Sequence, residues 1–203
     1  MAIKFEKETI PGTMSPFWRQ EVRMLPGGFP LVQNIPVGEV VQRGAFIAVN
    51  FDNMSAAIVK VGQVLEGGTT TKPRVSKRNN FFPGDEVMKL EKTDTIVTVK
   101  SVDRTNPEYD VVELSAALTG LAKDDFIQEA VKGEGETAIV SPAHIANMVL
   151  GADYESRKHG ICTLDVAWSA IVLKDICSPF PKSWLTENSP CLATNHNILF
   201  IKQ

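Results

Sequence analysis

From Phe81 to Leu114 apolar and polar positions alternate in three runs, Glu86–Glu91, Thr95–Val102 and Tyr109–Leu114. Turn chemistry separates them. Pro83-Gly84-Asp85 fixes one φ and then offers a residue that tolerates φ > 0, while Asn106-Pro107 biases the chain toward a turn. In the middle run Ile96, Val97, Val99 and Val102 are β-branched, with Thr95 and Thr98 among them, and such side chains suit a pleated, half-buried surface. These runs predict the core of a small sheet or barrel.

The same reading extends along the chain. Gly38–Val49 holds two short β runs around Arg43-Gly44, then the turn Asp52-Asn53 and a third run, Ala56–Val64. Phe126–Val131 reads as another strand, and Ile198–Ile201 as the last. Thr163–Leu173 is apolar almost without interruption after Val166, which separates strand from helix poorly; its Val and Ile content favours a strand. Helix signals are few. Ser141 as N-cap, Pro142 at the first helical position and Gly151 as the stop predict a helix over Pro142–Leu150, packed on a sheet as a lid or plug. Ser115–Leu121 is read as a helical turn. The expected fold class is mainly β: a compact barrel-like domain with one or two short helices and an extended N-terminal arm.

That arm is defined by breakers. Pro11-Gly12, Pro16, Pro26-Gly27-Gly28, Pro30 and Pro36 exclude a long regular element from residues 10–37. The same stretch carries Phe17, Trp18, Phe29 and Leu31, whose exposure to water is costly. They must lie on this chain's own barrel or on a neighbouring subunit, and the four are the candidate protein-interface residues. The expected division is 1–37 as arm and 38–203 as β-rich domain, with a sub-boundary near 132–141.

Composition narrows the function classes. With 43% apolar and 22% charged residues, 203 residues can bury a real core. The net charge of −3 argues against nucleic acid as the principal partner. No apolar run approaches the roughly 20 residues that cross a bilayer, and the leading MAIKFEKETI has acidic residues where a signal peptide is apolar, so a protein kept inside the cell is expected. A local cationic cluster stands out nonetheless: Lys72, Arg74, Lys77 and Arg78 lie in one polar loop, either a candidate contact for an acidic partner surface or for nucleic acid, or a solvated loop without interleaved aromatics.

Reaction chemistry is sparse. No phosphate-binding GxxxxGK[ST] or nucleophile-elbow GxSxG occurs, and His144, His159 and His196 are scattered without zinc-site spacing. Cys162, Cys177 and Cys191 are too widely spaced for a metal knuckle or redox pair. Neither a cofactor nor a metal is expected. An enzyme would have to assemble Cys162, His159, His144 and Asp165, and a small-molecule or glycan-binding barrel is the remaining alternative.

The proline-broken apolar arm, VVQRGAFIAV at 40–49, FFPGDEV at 81–87, SVDRTNPEYDVVEL at 101–114 and the closing ILFI together give a layout. It resembles that of the head fibre or head decoration proteins of tailed bacteriophages and prophages. The resemblance implies a β-clip-like or barrel domain that binds the major capsid protein on the outside of the capsid as a homo-oligomer, often a trimer, without catalysis. It places the protein on the virion, or in the cytoplasm of the host bacterium before assembly.

Overall fold

The computed structural model describes residues 22–25, 28–92, 94–133, 139–158, 162–174 and 177–202. Strands make up nearly all of their regular structure. The chain begins with β1 (Arg23–Met24), β2 (Phe29–Pro30), β3 (Val40–Val41), β4 (Phe46–Asn50), β5 (Ser55–Ile58) and β6 (Val61–Leu65). It continues through β7 (Arg74–Ser76), β8 (Glu86–Lys89), β9 (Val97–Asp103), β10 (Tyr109–Leu114) and β11 (Phe126–Lys132). The final group is β12 (Val140–Pro142), β13 (Met148–Leu150), β14 (Tyr154–Glu155), β15 (Thr163–Leu164), β16 (Val166–Leu173), β17 (Cys191–Leu192) and β18 (Asn195–Ile201). The molecule is mainly β, as its alternation predicts.

Six strands close a ring. The antiparallel pairings run from β11 to β6, β7, β10, β9 and β8, and β8 returns to β11. Closure leaves no open edge around the ring. Val97 and Val99 of β9, Val112 and Leu114 of β10, Val87 of β8 and Ile127 of β11 point inward with Phe81, while Glu86, Lys100 and Glu113 alternate outward or to the rim. Gly62 in β6 is required by this closeness: a Cβ there would lie 2.2 Å from Val75 Cγ1. β12 extends the far end of β11.

The second body is the sheet β17-β18-β16-β13-β4-β5, with β1 paired to β16 and only the β16–β18 pair parallel. Both its faces are covered. Phe46, Val149 and Ala167 face one core, and their chain neighbours Ile47, Leu150 and Val166 face another. Burial on two sides explains the near-continuous apolar run in β16 and resolves it as a strand.

Lys60, in the short link from β5 to β6, joins the two bodies. Its Nζ lies 2.6 Å from Asp85 Oδ1 and 3.1 Å from Glu129 Oε1, and the side chain is 3% exposed. Gln33 donates through Nε2 to Glu129 Oε2 at 2.8 Å and to the Ile58 carbonyl, and Phe82 N–H donates to Asp85 Oδ2.

Three sequence expectations are corrected. Pro142–Leu150 is not a helix: Val140–Pro142 pairs with β11, and Met148–Leu150 lies between β4 and β16. A helix under three turns gains little by itself, and two ladders outweigh its cap and stop signals. Ser115–Leu121 is a bend and turn, and the single helical turn among the described residues is the 3₁₀ segment Lys182–Trp184. The segment expected to be an arm contributes to the body where it is described. Phe29 is buried in the chain's own core at 2% exposure, β2 pairs with β15, and half-buried Leu31 bridges to Ala56. Phe29 is thus a core residue, which corrects its reading as an interface anchor, because pairing with β15 draws its ring inside. Phe17 and Trp18 lie outside the described residues.

Candidate functional site

The fold divides the predicted basic loop. Lys72 stays exposed, 3.3 Å from Glu113. Arg74, within β7, lays its guanidinium 4.7 Å over the Tyr109 ring. Lys77 and Arg78 pass beyond the end of β7 and enter the wall of a cleft of about 350 Å³. Two members of the predicted cluster therefore serve the barrel's outer surface and two line a cavity.

The opposite wall is the segment from Glu39 through Ala45, running from β3 into β4, and Phe82, Arg104, Asp110 and Ser178 complete the lining. Arg43 and Arg104 were not singled out in the sequence. Arg43 sits in the turn between two β runs and Arg104 just after β9, each an ordinary turn residue until the two bodies meet.

Local chemistry holds the 77–82 turn rigid. Asn79 is 1% exposed and donates to the Ser76 carbonyl and to Asp110 Oδ2, each at 2.8 Å, while its Oδ1 accepts from Phe81 N–H. Asp110 in turn accepts from Lys77 Nζ, and Ser178 Oγ donates to the Arg78 carbonyl at 2.7 Å. Arg78 and Asn80 have φ of 63° and 60°. For residues other than glycine this left-handed backbone costs on the order of 1 kcal/mol, tolerated best by asparagine. The bonds made by Asn79 and Ser178 hold it in place.

On the other side Arg104 Nη1 reaches both carboxylate oxygens of Glu39, at 3.1 and 3.0 Å, and Nη2 donates to the Phe81 carbonyl at 2.7 Å. Its guanidinium also lies 5.0 Å from the Phe82 ring centre. Arg43 N–H donates to Asp153 Oδ1 at 2.7 Å, but its Nε is 4.0 Å from that oxygen and has no hydrogen-bond partner. Gln42 Oε1 is likewise buried without one. Burial holds the Arg78 guanidinium below its ordinary pKa, against the opposing effect of Cys177 and Asp153. The cleft is thus lined by guanidinium and ammonium groups, those of Arg104 and Lys77 engaged by Glu39 and Asp110, with Phe82 as an apolar wall.

The dispersed residues considered for an enzyme are placed apart. Cys162 packs beside the second core near Tyr154, whose phenol is pushed up to about 12, first by burial and then by the neighbouring Cys162. Asp165 is exposed. His144 is half-buried in the link between β12 and β13, its pKa lowered by burial and by Lys60. Among the described residues no hydrogen bond joins these three, and His159 lies outside the described residues.

Exposed apolar groups gather at the β4–β5 turn. Phe51 and Met54 are each 53% exposed there, and Val32, whose N–H bonds the Ala56 carbonyl, is exposed beside them. Compared with known proteins, the chain matches no family model, no curated protein and no solved structure.

Proposed function

We propose that the protein is a non-catalytic structural component of a phage or prophage virion, a head fibre or capsid decoration protein that binds the major capsid protein on the capsid exterior. The observation that carries this reading is the β4–β5 turn: Phe51 and Met54 project from a sheet whose two faces are already covered. A rigid body ending in an aromatic and a methionine is what a binding edge requires, since such groups are enriched where partners meet and dominate interface energies. The closed barrel beside it supports the same use, because it adds bulk without an edge that would pair indiscriminately. Self-association into a homo-oligomer, a trimer by resemblance, uses the same edge or the preceding residues, including Phe17 and Trp18.

The test is sedimentation of the full chain with capsid shells assembled from the major capsid protein encoded beside it. The intact protein is expected to co-sediment, and Phe51→Asp with Met54→Asp to remain in the supernatant with an unchanged melting temperature. A monomer that never associates with shells would overturn the reading.

A further inference from the structure

A lysine, an aspartate and a glutamate meet where the two bodies join, and the fold brings them from three separate places in the chain. Lys60 lies between β5 and β6, Asp85 just before β8, and Glu129 in β11. Lys60 Nζ is 2.6 Å from Asp85 Oδ1 and 3.1 Å from Glu129 Oε1, with the three side chains 3%, 12% and 16% exposed. Lys77 and Lys89 also touch an aspartate, Asp110 and Asp125, but among the described residues neither ammonium has a second carboxylate in contact.

Each group is placed for one part of an acyl transfer. A nitrogen in hydrogen-bond contact with Oδ1 sits about 3–3.5 Å from the carboxyl carbon, the separation from which attack proceeds. Asp85 Oδ2 accepts the Phe82 N–H at 2.8 Å, a fixed donor where negative charge grows during such an attack. Gln33 Nε2 holds Glu129 Oε2 at 2.8 Å, and Oε1 is left facing the ammonium. Burial raises the Glu129 pKa, so this carboxylate accepts a proton more readily than an exposed one. The Phe82 ring, 5% exposed, lies 5.4 Å from Nζ and helps keep water away.

We propose that the chain itself joins Lys60 to Asp85 through an amide bond, with Glu129 relaying the protons. Glu129 Oε1 takes a proton from the ammonium, and the neutral amine attacks Asp85 Cγ. The Nζ–Cγ bond forms and one Cγ–O bond breaks. The departing oxygen leaves as water with two of the three ammonium protons, passed on one after the other by Glu129, which ends as it began. One positive and one negative charge disappear together, and no oxidant, reductant or cofactor takes part. Losing both charges from a buried place favours the amide, since each is costly to keep there. The bond closes a loop of 25 positions and fastens the junction of the two bodies to the turn before β8. It lies apart from the β4–β5 turn, so capsid binding and amide formation fail independently.

The experiment is intact-mass spectrometry of the full chain after incubation at neutral pH, followed by tryptic mapping. With allowance for removal of the first methionine, the mass is expected to lie one water below that of the sequence, and a branched peptide joining Lys60 to Asp85 to be recovered. Lys60→Arg, Asp85→Ala and Glu129→Gln should each restore the full mass. Glu129→Gln leaves the lysine and aspartate in place, so it decides if the other two fail to fold. A wild-type chain at full mass overturns the proposal, as does a branch between any other pair. A deficit that persists in Lys60→Arg overturns it too, assigning the lost water to a cyclic imide at Asp85, and one that persists in Glu129→Gln removes the relay on which the reaction depends.

Discussion

Two charged clusters lie near each other around Phe82, and they are built on opposite terms. Around Lys60 the charges are closed off: one ammonium is held by Asp85 and Glu129, with Gln33 and Phe82 N–H taking further carboxylate oxygens. Along the cleft the charges are spread over a cavity wall: Arg104 is engaged by Glu39 and Lys77 by Asp110, and Arg43 lies beside Asp153. The difference teaches what each is for. A cluster whose hydrogen bonds are met inside the protein acts as a joint, since its members cannot be exchanged for water or ligand without loss. A cluster of pairs spread along an open wall, such as Arg104 with Glu39, is screened by water, and each pair can be broken at smaller loss.

Breaking the joint should have the largest effect. Lys60→Met leaves Asp85 and Glu129 facing each other in a buried place and is expected to cost about 3–5 kcal/mol in urea unfolding, the penalty typical of an orphaned buried charge. A loss below about 1 kcal/mol would make the cluster no more than a surface pair. Asn79→Ala comes next, because it strips Phe81 N–H and Asp110 Oδ2 of their partner at a buried site. It should cost about 1–3 kcal/mol in urea unfolding, and a loss below about 0.5 kcal/mol would show that these bonds do not hold the turn.

A smaller effect concerns pH. Burial raises the Glu129 pKa, outweighing the stabilising contacts from Lys60 and Gln33. For a carboxyl raised on folding, the native state prefers the proton, so its contribution to stability is complete below the unfolded pKa and is lost as pH rises through the folded value. The stability of the wild type relative to Glu129→Gln should therefore fall as pH rises from about 4 toward neutrality. A difference that grows instead would show that ion pairing with Lys60 governs the site. Asp103 and Glu113, both lowered, act in the opposite direction in wild type and variant alike and cancel from the comparison. The smallest change is Arg43→Gln in the open cluster, expected to shift stability by less than about 0.5 kcal/mol because no hydrogen bond of its Nε is lost.

Much of the barrel was legible in the chain. Val97, Val99, Val112 and Leu114 alternate with polar neighbours over strands bounded by Pro83-Gly84 and Asn106-Pro107, so local spacing and turn residues already select the inward face. The 142–150 segment was not legible. Its Ser, Pro and Gly imitate helix ends, and only the edges offered by β4, β11 and β16 make an extended path better. The cleft was half legible: Lys77 and Arg78 stand out as charges, but Arg43 and Arg104 are 26 or more positions from them in the chain and no spacing rule links them.

By itself the order of residues determined that this chain is built of short strands, which of their positions face inward, and that it carries a local excess of cations around residues 72–78. Those are consequences of side-chain shape and period-two alternation, which act over a few residues. Tertiary structure alone decided that Phe29 belongs to the core, that Lys60 bridges two bodies, and that cations from three distant turns share one cavity. Each of these depends on contacts between segments far apart in the chain, whose free energy exists only once the two bodies have packed.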